Sequence, residues 1–212
     1  MIDILTDTTA DLPGELRKTY GIETIPMNVQ VDGRVYKDVE EIHPELLFHT
    51  VEKTGVYPTT SGPSLGDFLK FFNRENPSIY IGVSSKLSAT FSTAQLAHQQ
   101  LTEQSARKIE LIDSLSFSTG YGQVVLKAAK WRNEGLDFDE ICTRVRRMIA
   151  NTRGIFILDN LDYLFHGGRC SRISHFVSSV LNLHPFLNIL PDGTIGVLQK
   201  VRGSRMKAVN SL

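Results

Sequence analysis

Short apolar runs alternate along the chain with longer stretches in which apolar positions recur at helical spacing. Met1–Thr6, Ile79–Ser84, Ile109–Asp113 and Ile155–Leu158 read as strands, and each is followed by a segment with helical periodicity. That spacing predicts helices over Asp11–Tyr20, Pro44–Gly55, Pro63–Asn73, Thr90–Leu101, Ser118–Asn133 and Asp137–Ala150. Pro13, Pro44 and Pro63 stand near first-turn positions, and Gly21, Gly55 and Gly135 stand where a helix would end. Strands that alternate with helices in this way imply a parallel α/β sheet.

Two segments break the alternation. Thr24–Val31 and Arg34–Lys37 flank Asp32-Gly33, the strongest hairpin signal in the chain, and Phe186–Leu190 and Ile195–Lys200 flank the turn Pro191-Asp192-Gly193-Thr194. The fold class expected is therefore α/β: a parallel-sheet domain over residues 1–152, then a smaller α+β domain over 153–212, with the boundary near Asn151–Gly154. Repeats and low-complexity segments are absent from the sequence.

Composition narrows the function classes. The 212 residues carry 23 Lys plus Arg against 23 Asp plus Glu, so the net charge of zero gives no basis for nucleic-acid binding. Cys142 and Cys170 have no CxxC spacing, which argues against a zinc site or a disulfide framework and fits a reducing cytoplasm. A basic, apolar signal sequence and a stretch of membrane-spanning length are both missing, so neither export nor stable membrane insertion is expected.

Nor does the sequence carry the usual catalytic signatures: GxxxxGK[ST], GxGxxG after the first strand, HExxH and GxSxG do not occur. The six histidines are scattered without metal-ligand spacing, and no cofactor is implied. What stands out is two hydroxyl-rich turns. Pro58-Thr59-Thr60-Ser61-Gly62-Pro63-Ser64 is answered by Ser84-Ser85-Lys86-Leu87-Ser88-Ala89-Thr90, which follows the strand Ile79–Val83 directly. Backbone N–H groups at helix starts, joined by neutral hydroxyl donors, form a seat for a small anion. The alternative is that Ser61, Ser64, Ser85 and Ser88 merely cap helices.

Asp7-Thr8-Thr9-Ala10-Asp11 places a third polar turn on the same sheet edge, where Asp7 would brace the loops and Asp11 would cap the helix begun by Pro13. Ser88 lacks a recognisable base to make it a nucleophile, so binding is the better reading. Further on, Gly167-Gly168-Arg169 projects an arginine able to meet a phosphate or a partner's acidic group, ahead of the apolar helix expected over Ile173–Leu181. The density of apolar residues after Gly154 suits either an ordinary core or a seam for an amphiphile.

Taken together these motifs resemble the DegV family of bacterial fatty-acid-binding proteins (FakB-like). The resemblance rests on Ile4–Leu12, Thr60-Ser61-Gly62-Pro63-Ser64, Ser84–Thr90, Asn160–Leu164 with Gly167-Gly168-Arg169, and Lys200-Val201-Arg202-Gly203, in the family's order. It implies a DegV-like pair of domains with a long-chain fatty acid between them, its carboxylate held by Thr60 or Ser61 and by Ser88. It further implies a non-enzymatic carrier, whose cargo is phosphorylated on its carboxylate by a separate ATP-dependent fatty acid kinase for phospholipid synthesis. Arg169 and Arg202 would lie toward that kinase or the new phosphate.

The sequence departs from the family pattern at three places. Gly62 stands where Gln is usual, Ala89 stands where Gly is usual, and the later HxGPG segment, whose histidine helps hold the carboxylate, is not in the chain, so the second domain is expected to be incomplete. Two competing readings remain at this stage: a small-phosphate or phosphoryl-transfer enzyme using the Ser/Thr turns and Arg169, and a truncated regulatory fragment that binds no lipid.

Overall fold

A computed structural model describes residues 1–104, 108–158, 162–169 and 183–202. Four parallel strands, β1 (Asp3–Asp7), β2 (Ile22–Ile25), β6 (Ser78–Gly82) and β7 (Ile109–Asp113), form one sheet in the order β2-β1-β6-β7. Ile4 lies beside Ile22 on one side and Ile79 on the other, so β1 occupies the centre. All five residues of β6 are buried, because helices cover both faces of the sheet.

Strand alternation sorts the core into two layers. Ile4, Ile79, Ile81 and Ile112 pack on α5 (Thr119–Asn133) and α6 (Phe138–Asn151), while Leu5 and Tyr80 pack on α3 (Leu65–Phe72) and α4 (Thr90–Gln104). The amphipathic α6 buries Phe138, Ile141, Cys142 and Val145 on one face and is capped by Asp137, whose carboxylate accepts from Glu140 N at 2.8 Å. The α/β reading therefore holds, with two antiparallel sheets added.

The first of these has the order β4-β3-β5 and contains β3 (Asn28–Val31), β4 (Arg34–Lys37) and β5 (Thr59–Ser61), with α2 (Pro44–Thr54) between β4 and β5. Asp32 and Gly33 both take positive φ, 50° and 72°, as a tight hairpin turn requires. Two sequence expectations change here. Thr24–Val31 is not one strand: it breaks at Pro26-Met27, sending β2 into the parallel sheet and β3 into the antiparallel one. Thr59–Ser61, read as a turn, is a strand that pairs with β3.

The other antiparallel sheet, β10-β9-β8, joins β8 (Ile155–Ile157) to the hairpin of β9 (Leu183–Ile189) and β10 (Ile195–Arg202). Leu187 and Ile195 are its buried centre, and Leu87, Phe117, Phe156 and Leu164 pack against them. The short helices η1 (Thr8–Ala10), α1 (Gly14–Thr19) and α7 (Asp162–His166) complete the described elements. Expectations for Cys170 and for a helix over Ile173–Leu181 lie outside the described residues.

Candidate functional site

The chain leaves β1 toward β2 on one side and returns with β6 on the other, which makes the gap beyond the C-terminal ends of β1 and β6 a topological switch point. Asp7, fully buried at the end of β1, ties the two strand ends together. One of its oxygens accepts from Thr9 N at 3.1 Å, from Tyr121 OH at 2.8 Å and from the Thr9 hydroxyl. The other accepts from Val83 N at 3.0 Å and Tyr80 OH at 3.1 Å. Burial, reinforced by Asp7, pushes both phenols well above their ordinary range and keeps them neutral donors. Asp7 is thus a brace, its lone pairs spent on the loops.

A cavity of about 430 Å³ opens at that point. Thr60 and Ser88 line it, together with Arg169, Asp11 and Asp38, and its apolar wall includes Met27, Leu87, Phe117, Leu164 and Ile195. Leu87, Phe117, Leu164 and Ile195 belong to the apolar cluster of the β10-β9-β8 sheet, so the cavity has a polar rim at the parallel sheet and a greasy side against the last hairpin. Strand alternation decides between the neighbouring hydroxyls of β5: Thr60 is on the cavity side, whereas Thr59 and Ser61 are not among its lining residues.

The Ser/Thr runs divide their labour. Ser64 is the N-cap of α3, in a reciprocal box with Asp67. Buried Ser84 donates to Gly193 O at 2.8 Å and anchors the β9–β10 turn, and Ser85 N contacts the Asp113 carboxylate. Ser88 is within 2.8 Å of the Thr90 hydroxyl and accepts from Thr90 N at 3.3 Å, so it helps start α4 while lining the cavity. Gly62 lets β5 close on α4: a β-carbon there would stand 2.6 Å from Thr90 Oγ1 and 3.3 Å from its Cα. A side chain at this position would have to displace the Thr90 hydroxyl.

Asp11 does not cap α1. It takes a left-handed conformation, φ 48°, after η1, and Pro13 occupies the N-cap position of α1. Burial raises its carboxyl above the ordinary value, a hydrogen bond from Ser118 pulls it down, and Asp38 and Asp7 push it up again. Ser118 itself sits at φ 54° where its N–H donates to Thr9 O at 2.9 Å. Sequence reasoning passed over Met27, Asp38, Phe117 and Ser118, although Ser116-Phe117-Ser118, following the next parallel strand end, was a usable signal for the last two.

Arg169 is positioned by the end of α7. Arg169 N donates to Leu164 O at 3.1 Å and Gly167 N to Tyr163 O at 2.9 Å, with Gly168 at φ 74° making the left-handed turn. Its guanidinium then donates to Leu87 O at 3.2 Å and to Gly167 O, tying α7 to the Ser84–Ser88 loop. Arg202 ends β10, and its side chain lies outside the described residues, as do Asn160 and Leu161. Among the described residues no helix is long and apolar enough to cross a membrane.

Solved structures with the same architecture include fatty-acid-binding proteins. A DegV domain-containing protein of Caldanaerobacter subterraneus subsp. tengcongensis is 38% identical over 208 residues, covering 96% of this chain and 72% of that one. A DegV family protein of Thermus thermophilus, described for its fatty acid binding, superposes with a TM-score of 0.86 at 31% identity, over 99% of this chain and 77% of its own. The fatty acid kinase B3 protein of Streptococcus pneumoniae, loaded with linoleic acid, matches with a TM-score of 0.84 at 25% identity, over 100% of this chain and 78% of its own. The family described as "Uncharacterised protein, DegV family" matches residues 1–212, and this chain belongs to it.

Proposed function

We propose that this protein binds a long-chain fatty acid and presents its carboxylate to a separate kinase. The observation that carries the reading is the cavity at the switch point, which Thr60 and Ser88 line together with the apolar side chains of Leu87, Phe117, Leu164 and Ile195. Its 430 Å³ is within the usual range for small-ligand sites, about 300–1,000 Å³. Transfer of hydrocarbon from water gives roughly 0.8 kcal/mol per CH₂, so the tail supplies affinity and the head needs only orientation. Asp11 and Asp38 at the rim limit how strongly the site can hold an anion, which leaves the carboxylate reactive.

In the step proposed, a carboxylate oxygen attacks the γ-phosphorus of ATP on the partner enzyme. The bond from that phosphorus to the β–γ bridging oxygen breaks, giving an acyl phosphate and ADP. Neutral hydroxyl donors can hold the head before and after this change, whereas a bidentate arginine would stabilise the substrate ion and oppose its attack. The protein itself supplies no nucleophile in this scheme. The test is mass spectrometry of the denatured protein purified from a bacterial host. A bound fatty acid of about C14–C18 is expected; absence of lipid together with no uptake of added oleate would refute the reading.

A further inference from the structure

The cavity at the switch point is lined with more negative than positive charge. Among its described lining residues the ionisable groups are Asp11, Asp38, Tyr163 and Arg169. One guanidinium against two carboxylates leaves that set at a net charge of −1, and a lipid carboxylate brought in beside them takes it to −2. The donors of the guanidinium are divided, since Nε serves Leu87 O at 3.2 Å and Nη1 serves Gly167 O. Asp7, whose charge also reaches Asp11, has its oxygens engaged by Thr9, Tyr121, Val83 and Tyr80.

The two aspartates are held there at a cost to the backbone. Asp11 takes φ 48° with its N–H donating to Thr8 O at 3.2 Å, and its hydrogen-bond partner Ser118 takes φ 54° with its N–H donating to Thr9 O at 2.9 Å. Val39, the residue after Asp38, takes φ 67°, which a β-branched side chain rarely tolerates. Backbone strain persists where the surrounding structure over-determines it, and it clusters at ligand sites. Burial disfavours the ionised form of Asp11, the Ser118 hydrogen bond favours it, and the charges of Asp38 and Asp7 disfavour it again.

We propose that Asp11 is a positioning residue that takes up a proton as the fatty acid enters, so that its carboxyl O–H donates to one oxygen of the lipid carboxylate and leaves the other for reaction. This rests on the fatty-acid reading above and adds one proton to it. Two carboxyl groups brought side by side keep a proton between them, because the second ionisation is made against the charge of the first. Asp11 is the group that holds it, since the charges of both Asp38 and Asp7 bear on it. The proton comes from solvent on binding and returns to solvent on release. A neutral O–H orients the head by a charge-assisted hydrogen bond, where an ionised aspartate would repel it.

The test is calorimetric titration of delipidated protein with dodecanoate between about pH 5.5 and 8, where a free carboxyl of ordinary value, about 4, is ionised. Paired buffers of different ionisation enthalpy count the protons taken up per lipid, on the wild type, Asp11→Asn, Asp11→Gly and Asp38→Asn. Proton uptake on binding means that affinity rises as pH falls, so the wild type should bind at least about 5-fold more tightly at the acid end and take up protons there. Asp11→Asn suits the φ of 48° and carries an amide donor at every pH, so its affinity should change less than about 2-fold, with almost no proton uptake. Asp11→Gly suits the same φ without a donor and should bind about 5-fold more weakly than Asp11→Asn at neutral pH. Asp38→Asn should keep part of the pH dependence. A flat wild-type profile, a dependence unaltered in Asp11→Asn, its loss in Asp38→Asn alone, or equal binding by the Asn and Gly variants would each overturn the role of Asp11 while leaving fatty-acid binding intact. Failure of the wild type to bind dodecanoate at any pH would overturn both readings.

Discussion

Replacing Thr60 by Val separates the head contact from the tail contact, because it removes a hydroxyl and preserves the branched shape that suits β5. Thr60 sits opposite Val29 in the β3–β5 pairing and lines the cavity, while Ser61, the next residue, points to the other face. A hydrogen bond to a charged group contributes about 1.5–3 kcal/mol when shielded, and Thr60 is exposed, so the lower end applies. The dissociation constant for dodecanoate should rise about 10-fold, the equivalent of about 1.4 kcal/mol. Ser61→Ala should leave it nearly unchanged. Titration of delipidated protein, or displacement of a fluorescent fatty acid, reads both. The gain on lengthening decanoate to dodecanoate, about 1.6 kcal/mol for two CH₂ groups, should be the same in wild type and Thr60→Val, since the tail lies elsewhere. A loss at Ser61 equal to that at Thr60, or a Thr60→Val protein with unaltered affinity, would refute the placement of the head.

Asp7→Asn should destabilise the fold by about 1–3 kcal/mol in urea or thermal unfolding, because an amide nitrogen replaces an acceptor that Val83 N or Thr9 N depends on; no measurable loss would show that the brace is dispensable. Tyr80 and Tyr121 have phenol values raised by burial, so stability is fully present below the ordinary phenol value of about 10 and falls as pH rises above it. Denaturation midpoints measured from pH 8 to 11 should show that fall, and Tyr80→Phe should shrink it. Asp11→Asn should tighten dodecanoate binding and raise the melting temperature at pH 7 but not at pH 3. The raised carboxyl penalises only the ionised form, and Asn suits the φ of 48° there. Equal shifts at both pH values would assign the effect to something other than charge.

Much of the parallel sheet was legible in the sequence because β6 is buried throughout and its neighbours β1 and β7 carry the apolar pairs Ile4-Leu5 and Leu111-Ile112. The type of turn at Asp32-Gly33 was legible for the same reason, since few residue pairs accept two positive φ angles. Thr59–Ser61 was not, because a three-residue strand of hydroxyls carries no apolar alternation and exists only where β3 offers an edge to pair with. The break at Pro26-Met27 was concealed by strand-forming residues on both sides, and it appears only once β2 and β3 are seen to serve different sheets.

The candidate site follows the same division. Ser88 and Arg169 could be named in advance from local clusters, but the choice between Thr60 and Ser61 depended on the pleat of a strand the sequence did not reveal. Asp38 and Met27 reach the cavity from segments that become neighbours only when the β4-β3-β5 sheet stands beside the parallel one. On the proposed function their presence changes the chemistry, since Asp11 and Asp38 beside the seat would favour a weakly held head and leave most of the affinity to the hydrocarbon. A carrier of the proposed kind, which must release its cargo once the head is phosphorylated, would benefit from that division.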